Sequence, residues 1–169
     1  MKIAVTDTCI FIDLFQIQLV SSFFKLNIEV HSTHAVIREL ETNQKEILEA
    51  FISIDKLLIH RLEEEDRIKI FETKYPNSLS ETDKSVIHIA KKHNAILVSS
   101  DKVVRNYAKQ NSIEYHGILW IFDKLLEMQI IPSILAVEKL NALTTNNFFY
   151  QNNNELMSEI QKRIDLWSK

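Results

Sequence analysis

The fold is indicated first by the stretch Ile3-Ala4-Val5-Thr6-Asp7, an apolar run that ends in a carboxylate. A second stretch of the same kind, Ala95-Ile96-Leu97-Val98, leads to Asp101. Short runs of this type, rich in β-branched residues, are typical of buried strands. In an open α/β sheet the carboxyl ends of parallel strands meet at one crevice, which is the usual ligand site. We therefore expect Asp7 and Asp101 to lie at the same edge of one sheet.

Similar apolar runs alternate with segments of helical periodicity up to about residue 120. We predict strands over residues 3–6, 28–31, 57–61, 95–99 and 113–116. Such alternation is typical of proteins in which a parallel sheet is covered by helices on both faces. The sequence therefore predicts an α/β fold with a central parallel sheet of about five strands.

After Gly117 the pattern becomes wholly helical. Helices are predicted over residues 118–128, from Pro132 onward and from about 155 to 167, with a polar loop over 144–154. No internal repeat or linker divides the chain. We expect residues 1–169 to form a single domain, with a core over about 1–120 and a helical extension over about 117–169.

The composition excludes several kinds of site. The chain has a formal net charge of -3 and a single glycine, so a P-loop or a dinucleotide-binding turn, which needs several glycines, is excluded. The only cysteine, Cys9, excludes an internal disulfide and a thiolate zinc site. No apolar run approaches the roughly 20 residues that span a bilayer. We expect a cytoplasmic protein without membrane contact, in which nucleic acid would be bound by a local basic patch.

Four acidic residues, Asp7, Glu39, Asp83 and Asp101, follow predicted strands or lie on predicted helices. Each has a structural explanation of its own. Asp7 and Asp101 can cap helices, Asp83 can complete a capping box with Ser80, and Glu39 can be a solvated surface residue. If the four gather at one sheet edge, their mutual repulsion is costly unless a divalent cation offsets it. The joint pattern indicates a metal-dependent reaction on a phosphate-bearing substrate.

The same acids carry a resemblance to a known family. The segments concerned are residues 3–13, 36–40, 79–90 and 96–102. In order and residue type they resemble the four motifs of the PIN domain, the nuclease fold of the VapC-type toxins of bacterial and archaeal toxin–antitoxin pairs. The resemblance covers roughly residues 1–120 and implies a three-layer sandwich around a parallel sheet.

The resemblance also implies an activity. PIN-like nucleases bind Mg²⁺ or Mn²⁺ at their acidic cluster, so Asp7, Glu39, Asp83 and Asp101 are the expected catalytic and metal-binding residues. Glu39 is either a metal ligand or a base that orients the attacking water. The expected reaction is hydrolysis of RNA phosphodiester bonds by an endoribonuclease. The partners implied are an RNA substrate, an antitoxin protein and a second copy of the chain in a homodimer.

Other residues are expected to support these acids. Thr8 and Ser99 are candidates to hydrogen-bond the carboxylates, although both hydroxyls can equally be helix caps. Cys9 stands where the family commonly has Ser or Asn, and we expect no polar supporting role for it. Lys102 and Arg105 follow Asp101 on one stripe of a predicted helix, which makes them candidates for substrate binding. A solvated helix face explains the same stripe.

Two alternative functions belong to other classes. One is a catalytically silent PIN-type module that binds RNA or protein. The other is an acid-dependent phosphotransfer fold, such as a haloacid-dehalogenase-like phosphatase or a receiver domain. The phosphatase motif needs a second Asp two residues after the nucleophilic Asp, and Cys9 occupies that position after Asp7. The metal-dependent ribonuclease is therefore the first expectation and the silent module the second.

Overall fold

The computed structural model describes residues 2–169, apart from the side chain of Asn146. The strands are β1 (Lys2–Thr6), β2 (Ile28–Thr33), β3 (Leu57–His60), β4 (Ile96–Val98) and β5 (Tyr115–His116). The helices are α1 (Thr8–Gln16), α2 (Val20–Phe23), α3 (His34–Glu39), α4 (Thr42–Ser53), α5 (Glu64–Glu72), α6 (Glu81–Lys92), α7 (Lys102–Gln110), α8 (Ile118–Glu127), α9 (Ser133–Asn146), α10 (Phe148–Gln151) and α11 (Asn154–Trp167). None of these helices is long and apolar enough to cross a membrane.

The five strands form one parallel sheet in the order β3-β2-β1-β4-β5. β1 lies at the centre, where a strand covered on both faces needs a continuous apolar run, and its residues Ala4 and Val5 are fully buried. From β2 to β3 the chain moves towards one edge of the sheet, and from β4 to β5 it moves towards the other edge. Because both crossovers are right-handed, α4 and α7 lie on opposite faces of the sheet. The predicted α/β sandwich, with its five-stranded parallel sheet flanked by helices, is confirmed.

From β1 the chain adds β2 and β3 on one side of the sheet, and it then adds β4 and β5 on the other side. The strand order therefore reverses between β1 and β4. The two strands end side by side, and the amide of Asp7, the first residue after β1, donates to the carbonyl of Val98 at 3.2 Å. In doubly wound sheets the crevice beyond such a reversal is the usual ligand site. The topology therefore places Asp7 at the position where a site is most expected.

β2 continues to Thr33, two residues beyond the predicted end at residue 31. The extension is polar but fully satisfied, because the Ser32 hydroxyl donates to the Thr6 carbonyl at 2.7 Å and the Thr33 hydroxyl lies 2.9 Å from that of Ser85. The apolar pattern missed this segment because hydrogen bonding, and not hydrophobicity, allows it to be buried.

The chain forms two compact units. The first comprises residues 2–12 and Asn27–Ile118 and contains the whole sheet. The second comprises Asp13–Leu26 and Leu119–Lys169 and is helical. That residues 1–169 constitute one domain stays a prediction.

The predicted polar loop over residues 144–154 is wrong, because α9 runs to Asn146 and two further helices follow. Asn147 caps α10, its side chain accepting from the amides of Phe149 and Tyr150 at 3.1 and 3.3 Å. Asn153 caps α11 in the same way, accepting from Leu156 at 3.0 Å. Asparagines that resemble a loop in the sequence are thus helix N-caps, a position that favours Asn strongly.

Asp13, in the helical unit, is a buried carboxylate, only 4% exposed. The Tyr150 hydroxyl donates to one of its oxygens, and the Asn147 amide lies 3.5 Å from the other. Burial raises the pKa of Asp13 to about 6, although the hydrogen bonds from Tyr150 and Asn147 act in the opposite direction. Asp13 therefore ties α10 to α1 and titrates close to neutral pH.

Replacing Asp13 by Asn should remove a pH-dependent loss of stability. Because the folded-state pKa of about 6 lies above the unfolded value, the protonated side chain stabilises the fold below about pH 4, and this contribution is lost as the pH rises through 6. The loss is up to about 3 kcal/mol. Urea unfolding should show the stability of the wild type relative to Asp13→Asn falling by this amount between about pH 4 and pH 7.5.

Wild type must be compared with Asp13→Asn because His60 affects stability in the opposite direction over the same pH range. Burial and the neighbouring His31 lower the pKa of His60 to about 4. For His60, stability present above the unfolded pKa is lost as the pH falls. A difference between wild type and Asp13→Asn that stays constant with pH would contradict the expectation.

Five helices end in the same way, with a residue in the left-handed conformation and a hydrogen bond from the next amide back to the carbonyl five residues earlier. This is the Schellman arrangement, in which glycine is the usual residue. Here none of the left-handed residues is glycine; they are Gln18, Asp55, Asn94, Ser112 and Gln129.

Candidate active site

Asp7 is the most buried of the four predicted acids, with 4% of its surface exposed. Its Oδ1 accepts from the Ile10 amide at 3.2 Å and from the Cys9 thiol at 2.9 Å. The first of these bonds caps α1, so the capping expectation is correct for this residue. The carboxylate is nevertheless buried, although helix capping by itself does not require burial.

The charge of Asp7 is poorly compensated. Burial raises its pKa to about 6, and the nearby Asp83 acts in the same direction, against hydrogen bonds from Cys9, Ser99 and the Ile10 amide. Within residues 2–169, Asp7 forms no ion pair with a basic side chain. A buried carboxylate without a cation is costly at neutral pH, so this position favours the arrival of a positive charge.

Ser99 connects Asp7 with Asp101. Its fully buried hydroxyl donates to the Asp7 carboxylate and accepts from the Asp101 amide at 3.1 Å. Asp101 itself is exposed and caps α7, its Oδ1 accepting from the amides of Val103 and Val104 at 2.7 and 3.0 Å. The structure thus gives Ser99 the contact with the carboxylates that the sequence suggested.

Asp83 and Asp101 each use one oxygen for capping. In Asp83, Oδ2 accepts from both the amide and the hydroxyl of Ser80 at 2.8 Å, which completes the expected capping box. Within residues 2–169, no hydrogen bond reaches Oδ1 of Asp83 or Oδ2 of Asp101. Capping and ligand binding are therefore compatible, because each carboxylate keeps one oxygen for a further partner.

Glu39, the last residue of α3, is held differently. Its Oε2 accepts from the Thr8 hydroxyl and its Oε1 from the Thr82 hydroxyl, both at 2.6 Å. Thr82 precedes Asp83 on α6, and Thr8 follows Asp7, so the two bonds fix Glu39 between the segments that carry the other acids. Thr8 makes the carboxylate contact expected of it, whereas both oxygens of Glu39 are already engaged.

Asp7 and Asp101 share Ser99 as a hydrogen-bond partner, and Glu39 is held by Thr8 and Thr82, which are next to Asp7 and Asp83 in the chain. The four acids nevertheless do not already form a closed metal site. In the described residues, no group of three or more His, Cys, Asp or Glu side chains is arranged so that it could hold a metal ion. The donor chemistry nevertheless fits, because Mg²⁺ prefers oxygen ligands and usually takes one or two carboxylates, with water and substrate phosphate completing its shell. The metal-binding and catalytic roles of these residues stay predictions.

The expectation that Cys9 has no supporting role is wrong. Its thiol donates to Asp7 Oδ1, and its sulfur accepts from the Ser100 amide at 3.2 Å. Cys9 therefore bridges the loop after β1 and the loop after β4. A thiol can make both contacts because it is a weak donor and its sulfur is a weak acceptor. The Ser hydroxyl that is usual at this position can do the same, and more strongly.

Of the two predicted substrate-binding residues, Lys102 is exposed at the start of α7. Arg105 is half-buried, with its guanidinium carbon 6.0 Å from the centre of the Tyr115 ring. The Arg105 side chain therefore packs towards β5, and its Nε is buried without a hydrogen-bond partner among the described residues. The role of both residues in substrate binding stays a prediction.

A basic cavity was missed by the sequence analysis. It is lined by Arg38, Arg61 and Arg67 together with the ends of β2 and β3, and has a volume of about 380 Å³. Arg61 directly follows β3, as Asp7 follows β1, so the strand-end rule applied to the acids could have found it. The other two arginines lie on helices and have no comparable signal in the sequence.

Comparison with known proteins identifies a family. A family model described as PIN domain matches residues 3–165. Among solved structures, a domain of a functionally unknown protein from Methanocaldococcus jannaschii DSM 2661 is 26% identical with a TM-score of 0.48, over 70% of this chain and 91% of that one. A PilT N-terminus domain protein from Sulfolobus solfataricus P2 is 16% identical with a TM-score of 0.49, over 74% of this chain and 94% of that one.

No curated protein matches the chain. The family model, however, spans almost its full length, from the first strand to the last helix. The chain therefore belongs to the PIN domain family, which generally includes nucleases and whose members typically use divalent metal ions.

Proposed function

We propose that this PIN domain is a metal-dependent endoribonuclease that hydrolyses RNA phosphodiester bonds. The observation that carries the proposal is the buried Asp7 carboxylate, which has no ion pair among the described residues, at the point where the strand order reverses. Asp83 and Asp101 support it, since each keeps one carboxylate oxygen to which no described residue donates a hydrogen bond. Such oxygens suit Mg²⁺ or Mn²⁺ as ligands.

The residues have distinct roles in this proposal. Asp7, Asp83 and Asp101 hold the metal, and Ser99 and Cys9 fix the orientation of the Asp7 carboxylate. Glu39 retains lone pairs beyond its two hydroxyl contacts, so it can bind the metal or orient water and accept its proton. The chemistry supplied by a bound divalent ion is activation of water and neutralisation of phosphate charge. Water forms the new bond to phosphorus, the bond to the leaving ribose oxygen breaks, and that oxygen takes up a proton.

Replacing Asp101 by Asn should lower RNA cleavage by at least about a hundredfold while leaving the fold intact. Asn caps a helix as well as Asp does, so the bonds to the Val103 and Val104 amides survive and only the negative charge is lost. Cleavage of a labelled single-stranded RNA by purified protein, with Mg²⁺ or Mn²⁺ and with chelator, measures the effect.

The matched control is Glu49→Gln, which removes an exposed carboxylate on α4. This variant should cleave at the wild-type rate. Equal cleavage by wild type, Asp101→Asn and Glu49→Gln, or cleavage that chelator does not affect, would indicate a contaminating nuclease and remove the basis of the assignment.

A catalytically silent PIN-type module that binds RNA or protein is the second candidate. It is favoured by the engagement of every predicted acid in structural hydrogen bonds and by the lack of a closed three-ligand cluster in the described residues. Calorimetric titration with Mn²⁺ separates the two functions. Saturable binding that Asp7→Asn abolishes supports the nuclease, whereas no saturable binding by wild type supports the silent module.

The biological setting belongs to the same proposal. The resemblance to VapC-type proteins supports a toxin that is held inactive by an antitoxin, acts in the cytoplasm and forms a homodimer. A short neighbouring gene whose product is a DNA-binding protein that copurifies with this chain would support that setting. Sedimentation of the purified chain as a monomer would argue against the homodimer.

A further inference from the structure

We propose that the cavity lined by Arg38, Arg61 and Arg67 binds the phosphate backbone of the RNA strand beside the cleavage site. The inference rests on the proposal that RNA is the substrate and adds to it a place where the strand is held. The three arginines come from three different elements: Arg38 from α3, Arg61 from the segment after β3, and Arg67 from α5. The fold thus gathers them from distant parts of the sequence.

Among the described residues, the three arginines form no ion pair. In the part of the chain that the structure describes, the ion pairs formed by arginine belong to Arg163 alone. Glu63, Glu64 and Glu65 follow the cavity in the sequence, yet none of them lines it or pairs with an arginine. Three exposed arginines that line one cavity without an ion pair among the described residues, in a chain of net charge -3, form a local basic centre that attracts an anion.

The charge of the cavity comes from arginine and not from His60. His60 also lines it, but burial and the neighbouring His31 lower the pKa of His60 to about 4, so that it is neutral near pH 7. Its Nε2 lies 2.9 Å from Nδ1 of His31, which fixes the ring. Arginine presents a planar fork of donors that matches phosphate oxygens, and its charge does not depend on pH in this range.

The cavity lies where an RNA strand bound across the four carboxylates would pass. Thr33 and His60, which line it, are the last residues of β2 and β3, and these strands follow β1 in the sheet. Neighbouring strands are about 4.8 Å apart, so the cavity lies roughly 5 to 10 Å along the same edge from the end of β1. Arg38 also directly precedes Glu39 on α3.

The size of the cavity fits such a ligand. A volume of about 380 Å³ lies within the range of about 300–1,000 Å³ that is usual for small-ligand sites. Phosphate contacts position a strand without selecting its sequence, so this site would set the register of the RNA relative to the carboxylates.

The test is binding of a fluorescein-labelled single-stranded RNA in the presence of chelator, so that affinity is measured without cleavage. Replacing Arg38, Arg61 and Arg67 together by Ala should weaken binding by at least about tenfold and lower the slope of log affinity against log salt by about 2, the value for three lost phosphate contacts on a single strand. Changing all three to Lys should keep most of the slope, because the charge remains. Lys69→Ala, which removes an exposed charge from the same helix as Arg67, should change neither.

The outcomes separate this inference from the nuclease assignment. Cleavage by wild type, together with unchanged affinity and slope in a folded triple Ala variant, would overturn the phosphate site and leave the nuclease standing. Loss of affinity in the triple variant of a protein that never cleaves RNA would keep the site and overturn the nuclease. Saturable binding of inorganic phosphate that the triple Ala variant loses, with RNA affinity and salt slope unchanged in that variant, would show a site for free phosphate and contradict the backbone assignment.

Discussion

Asp7→Asn is expected to abolish RNA cleavage and, at the same time, to make the folded protein more stable at neutral pH. Cleavage should fall by about a thousandfold, the loss expected when several kcal/mol of charge stabilisation are removed from the transition state. Stability should rise because Asn keeps an oxygen to accept from Cys9 and Ile10 while the buried negative charge disappears. A residue that costs stability in order to serve the reaction is typical of active sites.

The sign of the stability change follows from the pKa of Asp7. Its folded-state value of about 6 lies above the unfolded value, so the stability contributed by the protonated form is present below about pH 4 and is lost as the pH rises through 6. Asn imitates the protonated form at every pH. Urea unfolding should therefore show a gain of as much as about 3 kcal/mol for Asp7→Asn at pH 7.5 and almost none at pH 4.

A divalent ion provides a further readout of Asp7 that does not depend on activity. Mn²⁺ should raise the melting temperature of the wild type, because a ligand that binds only the folded state stabilises it, and should leave that of Asp7→Asn unchanged. The control Glu49→Gln should behave as wild type in all three measurements. An Asp7→Asn protein that cuts RNA at the wild-type rate, or that is less stable at pH 7.5, would contradict the role given to this carboxylate.

Asp66→Ala should destabilise the protein by about 3 kcal/mol, because it removes one partner of a buried charge network. Asp66 is 2% exposed on α5, and its Oδ1 accepts from His88 Nε2 and from Lys92 Nζ on α6, both at 2.8 Å. Burial by itself would raise the pKa of Asp66, but the hydrogen bonds from Lys92, His88 and the Glu63 amide hold it well below its usual range. The carboxylate is therefore charged and fully paired at neutral pH.

Thermal and urea unfolding at neutral pH measure this loss. The matched control is Glu65→Ala, which removes an exposed carboxylate one residue earlier on α5 and should change stability by less than about 0.5 kcal/mol. Arg67 follows Asp66 on the same helix, so a loosened α5 should also weaken RNA binding. A loss for Asp66→Ala no greater than that for Glu65→Ala would show that the network does not hold α5 against α6.

The part of the fold that the sequence predicts best is the part decided by burial. Apolar runs that end in Asp7 and shortly before Asp101 are covered on both faces of the sheet, and only a strand satisfies that pattern. The capping geometry of Asp83 and Asp101 was equally accessible, since it depends on residues two or three positions away. In the sequence, helix capping and metal binding are alternative roles for Asp83 and Asp101. The structure allows both roles, because each carboxylate caps with one oxygen and has a second oxygen for a ligand.

Features that depend on distant contacts could not be predicted. The asparagines between residues 144 and 154 resemble a loop until the helices that Asn147 and Asn153 cap are known. The contact of Cys9 with the Ser100 amide depends on the approach of two loops that are far apart in the sequence. The cavity of Arg38, Arg61 and Arg67 depends on the ends of two strands and two helices meeting, and no local pattern records such a meeting.

The five helices that close on a left-handed residue other than glycine leave the protein below the stability that its fold could reach. Left-handed backbone strains an ordinary side chain, and at Gln18, Ser112 and Gln129 a glycine would relieve a few tenths to about 1 kcal/mol each, after its greater freedom in the unfolded chain is subtracted. None of these positions carries a predicted active-site residue. A triply glycine-substituted protein would therefore be a heat-tolerant parent in which weakened variants, such as Asp66→Ala, stay folded long enough for their activity to be compared.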